Sequence, residues 1–305
     1  MIALNSRKIP FAFLLLFLLT FALFIPLQAD AETREGSLVI GLLPEMNVFK
    51  QKQRFKPLAA YLSERLGITV RLTILSSYGE IIERIKEGDV DGAFLGSFTG
   101  ALAITQLGVL PLARPINMDG TSTYYGQIFV RYDSNIKSVA DMKGKSLALV
   151  EKATTAGYLF PVAWLKRNGV EDINTYFSDH FFTGSHDAAV DAVLNSKADV
   201  GAAKNTIYDG MRKLNPQIDN ELIILASSPR VPSNGLCVRK DLAPQYKEQV
   251  KDLLINLHQD QEGIEVLQKL GAKRFVETSR EDYQPVLDLA KEAGIDLGKY
   301  VYDNH

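Results

Sequence analysis

Residues 68–95 read ITVRLTILSSYGEIIERIKEGDVDGAFL, and the fold class follows from them. Ile68, Val70, Leu72 and Ile74 alternate with polar residues, the period of a strand with one buried face. Ser77 and Glu80 have the spacing of a capping box, which opens a helix through Ile81, Ile82 and Ile85 up to Gly88. Ala93-Phe94-Leu95 is then a short buried strand. Upstream, residues 38–43 form another apolar run of strand length. Between that run and Ile68, the residues Phe55, Leu58, Leu62 and Leu66 share one face of a helix over residues 54–66, with Gly67 as its stop. This βαβαβ order predicts a largely parallel sheet with helices on its faces.

The same order returns downstream. Residues 146–150 read as a strand and 158–167 as a helix. Residues 187–194 form a second helix with Ala189, Val190, Val193 and Leu194 on its apolar side, and residues 200–203 form a strand. The segments 85–93 (IKEGDVDGA) and 194–202 (LNSKADVGA) both run helix, tight acidic turn, strand. Any α/β chain makes such turns; if the pair is a true repeat, each half carries the same unit. Two extended stretches, 124–132 and 222–238, are placed to cross between lobes, the second broken by Pro229 and Pro232. From Asp241 onward Val250, Leu253, Leu254 and Leu257 recur at helix spacing, and this part should pack back on the first lobe. The expected division is a discontinuous first lobe (32–127 and 230–305), an inserted second lobe (128–229), and a ligand cleft between them.

Arg7 and Lys8 precede an almost wholly apolar run over residues 9–27, and Ala29-Asp30-Ala31 has the small-x-small form of a cleavage site. Residues 1–31 therefore read as a signal peptide, cleaved after Ala31, which exports the mature chain. An uncleaved anchor is the alternative, since the run approaches the roughly 20 residues that span a bilayer; no positively charged cluster follows it. A hydrophobic content of 46% and a charged content of 23% are those of an ordinary globular protein. A net charge of −2 gives no footprint for nucleic acid. The single cysteine, Cys237, excludes an intramolecular disulfide and a cysteine-based metal cluster, and its apolar neighbours make it a buried thiol. The four histidines lack zinc-like spacing, so no metal and no cofactor is expected.

Three groups of residues carry candidate chemistry. Thr154-Thr155-Ala156-Gly157 opens a helix just after a strand, where unpartnered backbone N–H groups and the helix dipole favour an anion and small side chains let it approach. Ordinary capping by Thr154 or Thr155 needs no ligand and is the alternative. Gly184-Ser185-His186-Asp187 stands at another strand-to-helix junction, where His186 either donates to an oxyanion or acts as a structural cap. Tyr78, Ser97, Thr99, Tyr124, Tyr125 and Asn205 fall near strand ends or the crossover, and strand ends line clefts in open α/β sheets. The chain has no Gly-x-Ser-x-Gly elbow and no phosphate-cradling lysine loop, so the residues point to binding and not to catalysis.

Taken in order, Ser77-Tyr78-Gly79-Glu80-Ile81-Ile82, the stretch 124–134, Thr154-Thr155-Ala156-Gly157 through Pro161, and Gly184-Ser185-His186-Asp187 resemble the periplasmic phosphate/phosphite/phosphonate-binding components of ABC transporters. The resemblance runs from about Leu38 to about Tyr283. It implies the type II periplasmic-binding-protein-like fold, with two α/β lobes, each a mainly parallel sheet flanked by helices, joined by two hinge strands and closing like a trap. It also implies a small oxyanion as ligand, an inner-membrane permease as partner, and a monomeric receptor. By resemblance, Thr154, Thr155 and the amides of Ala156 and Gly157 grip the anion, Tyr78 and His186 bond its oxygens, and Asn205 falls near the second-lobe cleft residues. Ser97 and Tyr125 join the candidate site from their places near strand ends and the crossover. Thr154 and Ala156 stand where the family has serines. Asn205 or Ile207 stands where members that bind aminoalkyl phosphonates offer a carboxylate, which favours phosphate, phosphite or an uncharged-tail phosphonate. A sensory role, presenting the bound solute to a kinase, would use the same trap.

Overall fold

The structure is a computed structural model that describes residues 36–302; the signal peptide read over 1–31 lies outside the described residues. Strands β1 (Ser37–Leu42), β2 (Thr69–Ile74) and β3 (Gly92–Leu95) pair in parallel in the order β2-β1-β3. The helices Val48–Leu66 and Glu80–Lys86 carry the chain between them. The first helix starts six residues before the position that apolar periodicity predicts. Its first turns are polar, and the signal lies instead in Asn47, whose side chain accepts from the amides of Phe49 and Lys50. Gly67, in the left-handed conformation, ends it as expected. The capping box at the second helix is shared between two serines. Ser77 Oγ accepts from the Glu80 amide, while the Glu80 carboxylate reaches back to the amide and hydroxyl of Ser76.

The chain continues through β4 (Leu110–Asn117) and the two-residue β5 (Thr123–Tyr124) into β6 (Gly126–Arg131), β7 (Ser146–Leu149), β8 (Asp179–Phe182), β9 (Val200–Lys204) and β10 (Leu222–Ser227). It returns through β11 (Val231–Pro232) to β12 (Gly235–Val238) and ends with β13 (Ala272–Glu277). One sheet has the order β13-β4-β12-β3-β1-β2, the other β10-β6-β9-β7-β8, and β5 pairs with β11 between them. The expectation of mainly parallel sheets holds for β2-β1-β3 and β8-β7-β9 and needs correcting for the rest. There β12, β4, β13, β6 and β10 join antiparallel. The first strand after each crossing, β6 or β12, enters its sheet from the far end and runs against β9 or β3. Strands β10 and β4 run with the parallel strands but pair antiparallel because their neighbours are β6 and β12. The tail past Asp241, expected to be helical, also contains β13, an edge strand whose burial does not alternate because a bulge between Ala272 and Arg274 interrupts its pairing with β4.

The resemblance between segments 85–93 and 194–202 is structural. The helices Glu80–Lys86 and His186–Leu194 are each followed two residues on by a left-handed residue, Gly88 or Ser196. Five residues after each helix an aspartate leads into the next strand. The Asp91 carboxylate accepts from the Val39 amide in β1, and the Asp199 carboxylate from the Ser146 amide in β7. Both hold the start of a neighbouring parallel strand by the same contact, so the unit repeats.

One core, with Leu38, Leu58, Leu236, Leu254 and Leu267, lies in the first sheet's layers. Two smaller cores flank the second sheet, around Leu149 and Phe160 on one side and Phe129 and Val193 on the other. A further cluster joins Leu95, Phe98 and Tyr283 to Val150, Ala156 and Leu159. That cluster joins strands and helices of the first lobe to the loop and helices that follow β7 in the second, so the lobes are shut against each other.

Candidate functional site

Two helix starts meet at the bottom of the cleft. In the first lobe, Gly96 leaves β3 in an extended conformation and Ser97 opens the helix Ser97–Leu107. In the second, the chain leaves β7, makes one π-helical turn over Thr155–Leu159 and continues as the α-helix Phe160–Arg167. Such π turns are uncommon and often mark functional sites. Ser97 Oγ lies 2.6 Å from Thr155 Oγ1 and 2.7 Å from the Tyr124 hydroxyl, giving a buried row of three hydroxyls drawn from both lobes and the hinge. Thr154 Oγ1 donates to the Glu151 carbonyl at 2.6 Å and makes no helix cap. Ordinary N-capping therefore does not account for the two threonines. Ala156 and Gly157 are buried within the π turn, and Gly126 lets it approach. A Cβ on Gly126 would stand 2.7 Å from the Phe160 ring and 3.0 Å from Ala156 Cα.

Tyr78 comes from the loop before the helix Glu80–Lys86 and is 2% exposed, yet its hydroxyl has no hydrogen-bond partner among the described residues. Burial foremost, and then the Glu45 and Glu151 carboxylates, hold that phenol well above its ordinary pKa, so it stays a protonated donor. Its ring meets His186 edge-on at 6.2 Å between centroids. His186 is the first residue of its helix, and its Nδ1 accepts from the Lys204 amide at 3.2 Å. In the neutral ring the proton therefore sits on Nε2. Burial, reinforced by the Lys204 ammonium and opposed by Glu45 and Asp187, lowers the His186 pKa to about 4. At neutral pH His186 is an uncharged Nε2–H donor.

Lys204 ends β9 and crosses the cleft. Its ammonium donates to Glu45 Oε1 and to Asn234 Oδ1, both at 2.8 Å, and lies 4.5 Å from the centroid of the Tyr124 ring. Burial would raise the Glu45 carboxyl, but the charge and hydrogen bond of Lys204 hold it below its ordinary value. Glu45 follows β1 and Asn234 follows the hinge strand β11, so the pair spans the two lobes. Asn205, next in sequence, exchanges two bonds with the main chain of Tyr125: its amide donates to the Tyr125 carbonyl and its Oδ1 accepts from the Tyr125 amide, both at 3.0 Å. The Tyr125 ring is only half-buried and lies under the Arg230 guanidinium. A cavity of about 460 Å³ adjoins Lys204, Asn205, Asn117 and Asn234 between the lobes.

The chain end straps the same region. Tyr302 donates to Glu151 Oε2, which also accepts from the Tyr78 amide at 2.8 Å. The Tyr300 hydroxyl donates to the Lys152 carbonyl at 2.7 Å, and Gln106 holds the carbonyls of Leu297 and Tyr300. First-lobe and second-lobe groups are thus tied on this side as well.

Of the residues singled out in the sequence, Ser97 and Thr155 come together in the hydroxyl row, and Tyr78 and His186 stand side by side. Ala156 and Gly157 shape the turn. Thr154 is tied to its own loop, and Tyr125 and Asn205 face each other through the main chain. Tyr124, a candidate from its place near the crossover, joins the hydroxyl row, while sequence reasoning passed over Glu45, Lys204, Glu151 and Asn234. Glu45, Lys204 and Glu151 each end or closely follow a strand that has a parallel neighbour. The rule that strand ends line the cleft would have found them.

The arrangement offers neutral donors (hydroxyls, an uncharged histidine, helix amides) in a site closed to water, which suits an oxyanion. Among the described residues no cluster of histidine, cysteine and carboxylate side chains could hold a metal ion. Residues 40–283 match the family described as ABC transporter, phosphonate, periplasmic substrate-binding protein. The chain is 25% identical over 268 residues to the phosphonates-binding periplasmic protein of Escherichia coli K12, covering 86% of this chain and 78% of that protein. It is 30% identical over 193 residues to a phosphate-import protein of Mycolicibacterium smegmatis, covering 60% of each chain. Among solved structures it resembles PhnD1 of Prochlorococcus marinus in complex with methylphosphonate, at a TM-score of 0.76 and 20% identity, covering 85% of this chain and 98% of that one. The neighbours share the two-lobed fold, and the chain belongs to the periplasmic substrate-binding protein family of phosphonate ABC transporters.

Proposed function

We propose that this protein captures phosphate, phosphite or a small uncharged-tail phosphonate in the cleft and hands it to an inner-membrane permease. The observation that carries the reading is the Tyr78 hydroxyl, a buried donor with no partner among the described residues, set beside the Nε2–H donor of His186. A buried donor left unsatisfied costs about 1–3 kcal/mol, and an anionic oxygen removes that cost. Thr155 and Ser97 turn their hydroxyls from each other to the anion, the amides of Ala156 and Gly157 add donors at the π turn, and Thr154 holds that turn to Glu151. Asn205 and Tyr125 fix the wall where β9 meets the hinge. The lobes divide at 127/128 and 229/230, with β5 and β11 as the hinge. Export follows cleavage after Ala31, the receptor works as a monomer, and it turns over no substrate. In the second reading, a sensor kinase takes the place of the permease.

The test is a thermal-shift series on the mature chain from Glu32 with phosphate, phosphite, methylphosphonate and sulfate. A ligand at a hundredfold excess over its Kd adds about 2.7 kcal/mol of stability. A selective shift with a phosphorus oxyanion supports the reading, and no shift with any of them sinks it.

A further inference from the structure

Lys204 is more than a wall residue. Its ammonium has a carboxylate (Glu45 Oε1) and an amide oxygen (Asn234 Oδ1) each at 2.8 Å, with the face of the Tyr124 ring at 4.5 Å. A carboxylate, a neutral oxygen and an aromatic face are what a protein uses to recognise an alkylammonium group. The Tyr124 hydroxyl belongs at the same time to the Ser97–Thr155 row, so the ammonium lies beside the groups assigned to the oxyanion. The side chains of Lys204 and Glu45 are nearly buried, at 9% and 12% exposure, so the pair works where charges are costly to leave alone.

We propose that Lys204 is a tethered ammonium occupying an alkylammonium site in the cleft, and that it is the specificity-determining residue excluding amine-tailed phosphonates. The inference rests on the functional reading above. A ligand such as 2-aminoethylphosphonate carries its own ammonium two carbons from phosphorus. In this cleft that ammonium meets a lysine of like charge and a carboxylate already neutralised, so it is rejected. A tail of the same length without the amine meets no such repulsion. Discrimination of this kind, by a repulsive group as well as attractive ones, is how a binding site separates close relatives. The absence of a carboxylate at Asn205 is therefore not the whole account, because the cleft does contain one, masked by Lys204.

The test is calorimetric titration of the mature wild-type protein, Lys204→Met and Lys204→Met/Glu45→Gln with ethylphosphonate and 2-aminoethylphosphonate. The wild type should favour ethylphosphonate. Lys204→Met exposes the Glu45 carboxylate and should move the ratio of the two Kd values by about 30-fold or more toward 2-aminoethylphosphonate. Adding Glu45→Gln should take that gain away. If Lys204→Met is too unstable to titrate, 2-aminoethylphosphonate should raise its Tm more than ethylphosphonate does, since the ligand returns the missing ammonium. Equal wild-type affinity for the two ligands, or a ratio in Lys204→Met within about threefold of wild type, overturns the inference while leaving phosphonate capture intact. A wild-type protein that binds no phosphorus oxyanion overturns the functional reading, and this inference with it.

Discussion

Ser97 Oγ and Thr155 Oγ1, one from each lobe, lie 2.6 Å apart at the bottom of the closed cleft. Each is the first residue of its helical segment, so the two helix starts face the same spot. With a ligand in place, both hydroxyls can turn to an anionic oxygen.

Thr155→Ala should therefore weaken phosphate or methylphosphonate binding by about 1–3 kcal/mol, read by titration calorimetry, while Thr155→Ser keeps most of the affinity. An unchanged Kd in Thr155→Ala would mean that the hydroxyl only ties the lobes together.

His186 makes stability depend on pH. Its folded pKa of about 4 lies below the ordinary histidine value of 6.5, so between these pH values the unfolded chain binds the proton more readily. Stability is full above pH 6.5 and falls as the pH drops toward 4, by up to about 3 kcal/mol. Urea unfolding at several pH values should show a shallower acid loss in His186→Gln than in the wild type. Parallel curves would assign the acid sensitivity to the carboxylates.

Removing residues 299–305 should lower the Tm of the ligand-free protein. Tyr300 and Tyr302 would no longer reach Lys152 and Glu151 across the lobes, and Gln106 would lose one carbonyl partner. Each partly buried hydrogen bond of this kind contributes about 1 kcal/mol. An unaltered melting curve would show that the strap adds nothing to closure.

Gly126→Ala tests the approach of β6 to the π turn. Its new methyl group would press on the Phe160 ring and on Ala156, an overpacking that costs about 1–3 kcal/mol. Oxyanion affinity should fall together with stability, because Ala156 follows Thr155 directly. A variant as stable as wild type that binds normally would show that the turn yields freely.

Much of the fold was legible because period and punctuation are local. The alternation at Ile68–Val70–Leu72–Ile74, the stop at Gly67, and the helix before Gly88 all appear where periodicity puts them. The repeated turn was visible at 85–93 and 194–202, although its meaning lay in a contact that Asp91 and Asp199 make with other strands. Strand β13 was missed because its buried residues, Ala272 and Phe275, do not alternate: a bulge between Ala272 and Arg274 breaks the period of two.

The amino-acid sequence by itself determined the α/β alternation, the two crossings near Tyr124 and Pro232, and the small-residue helix start at Thr155. These depend on neighbours a few residues apart, whose propensities and spacing are written in order along the chain. Only the tertiary structure decided which groups share the cleft. Glu45 and Lys204 stand 159 residues apart and meet only once two sheets fold and close. The pairing of His186 Nδ1 with the Lys204 amide, which fixes the histidine's proton on Nε2, likewise exists only where helix and strand are packed together. A charge placed in water says little about function. The same charge shut between two lobes must find a partner, and that partner is chosen by the fold.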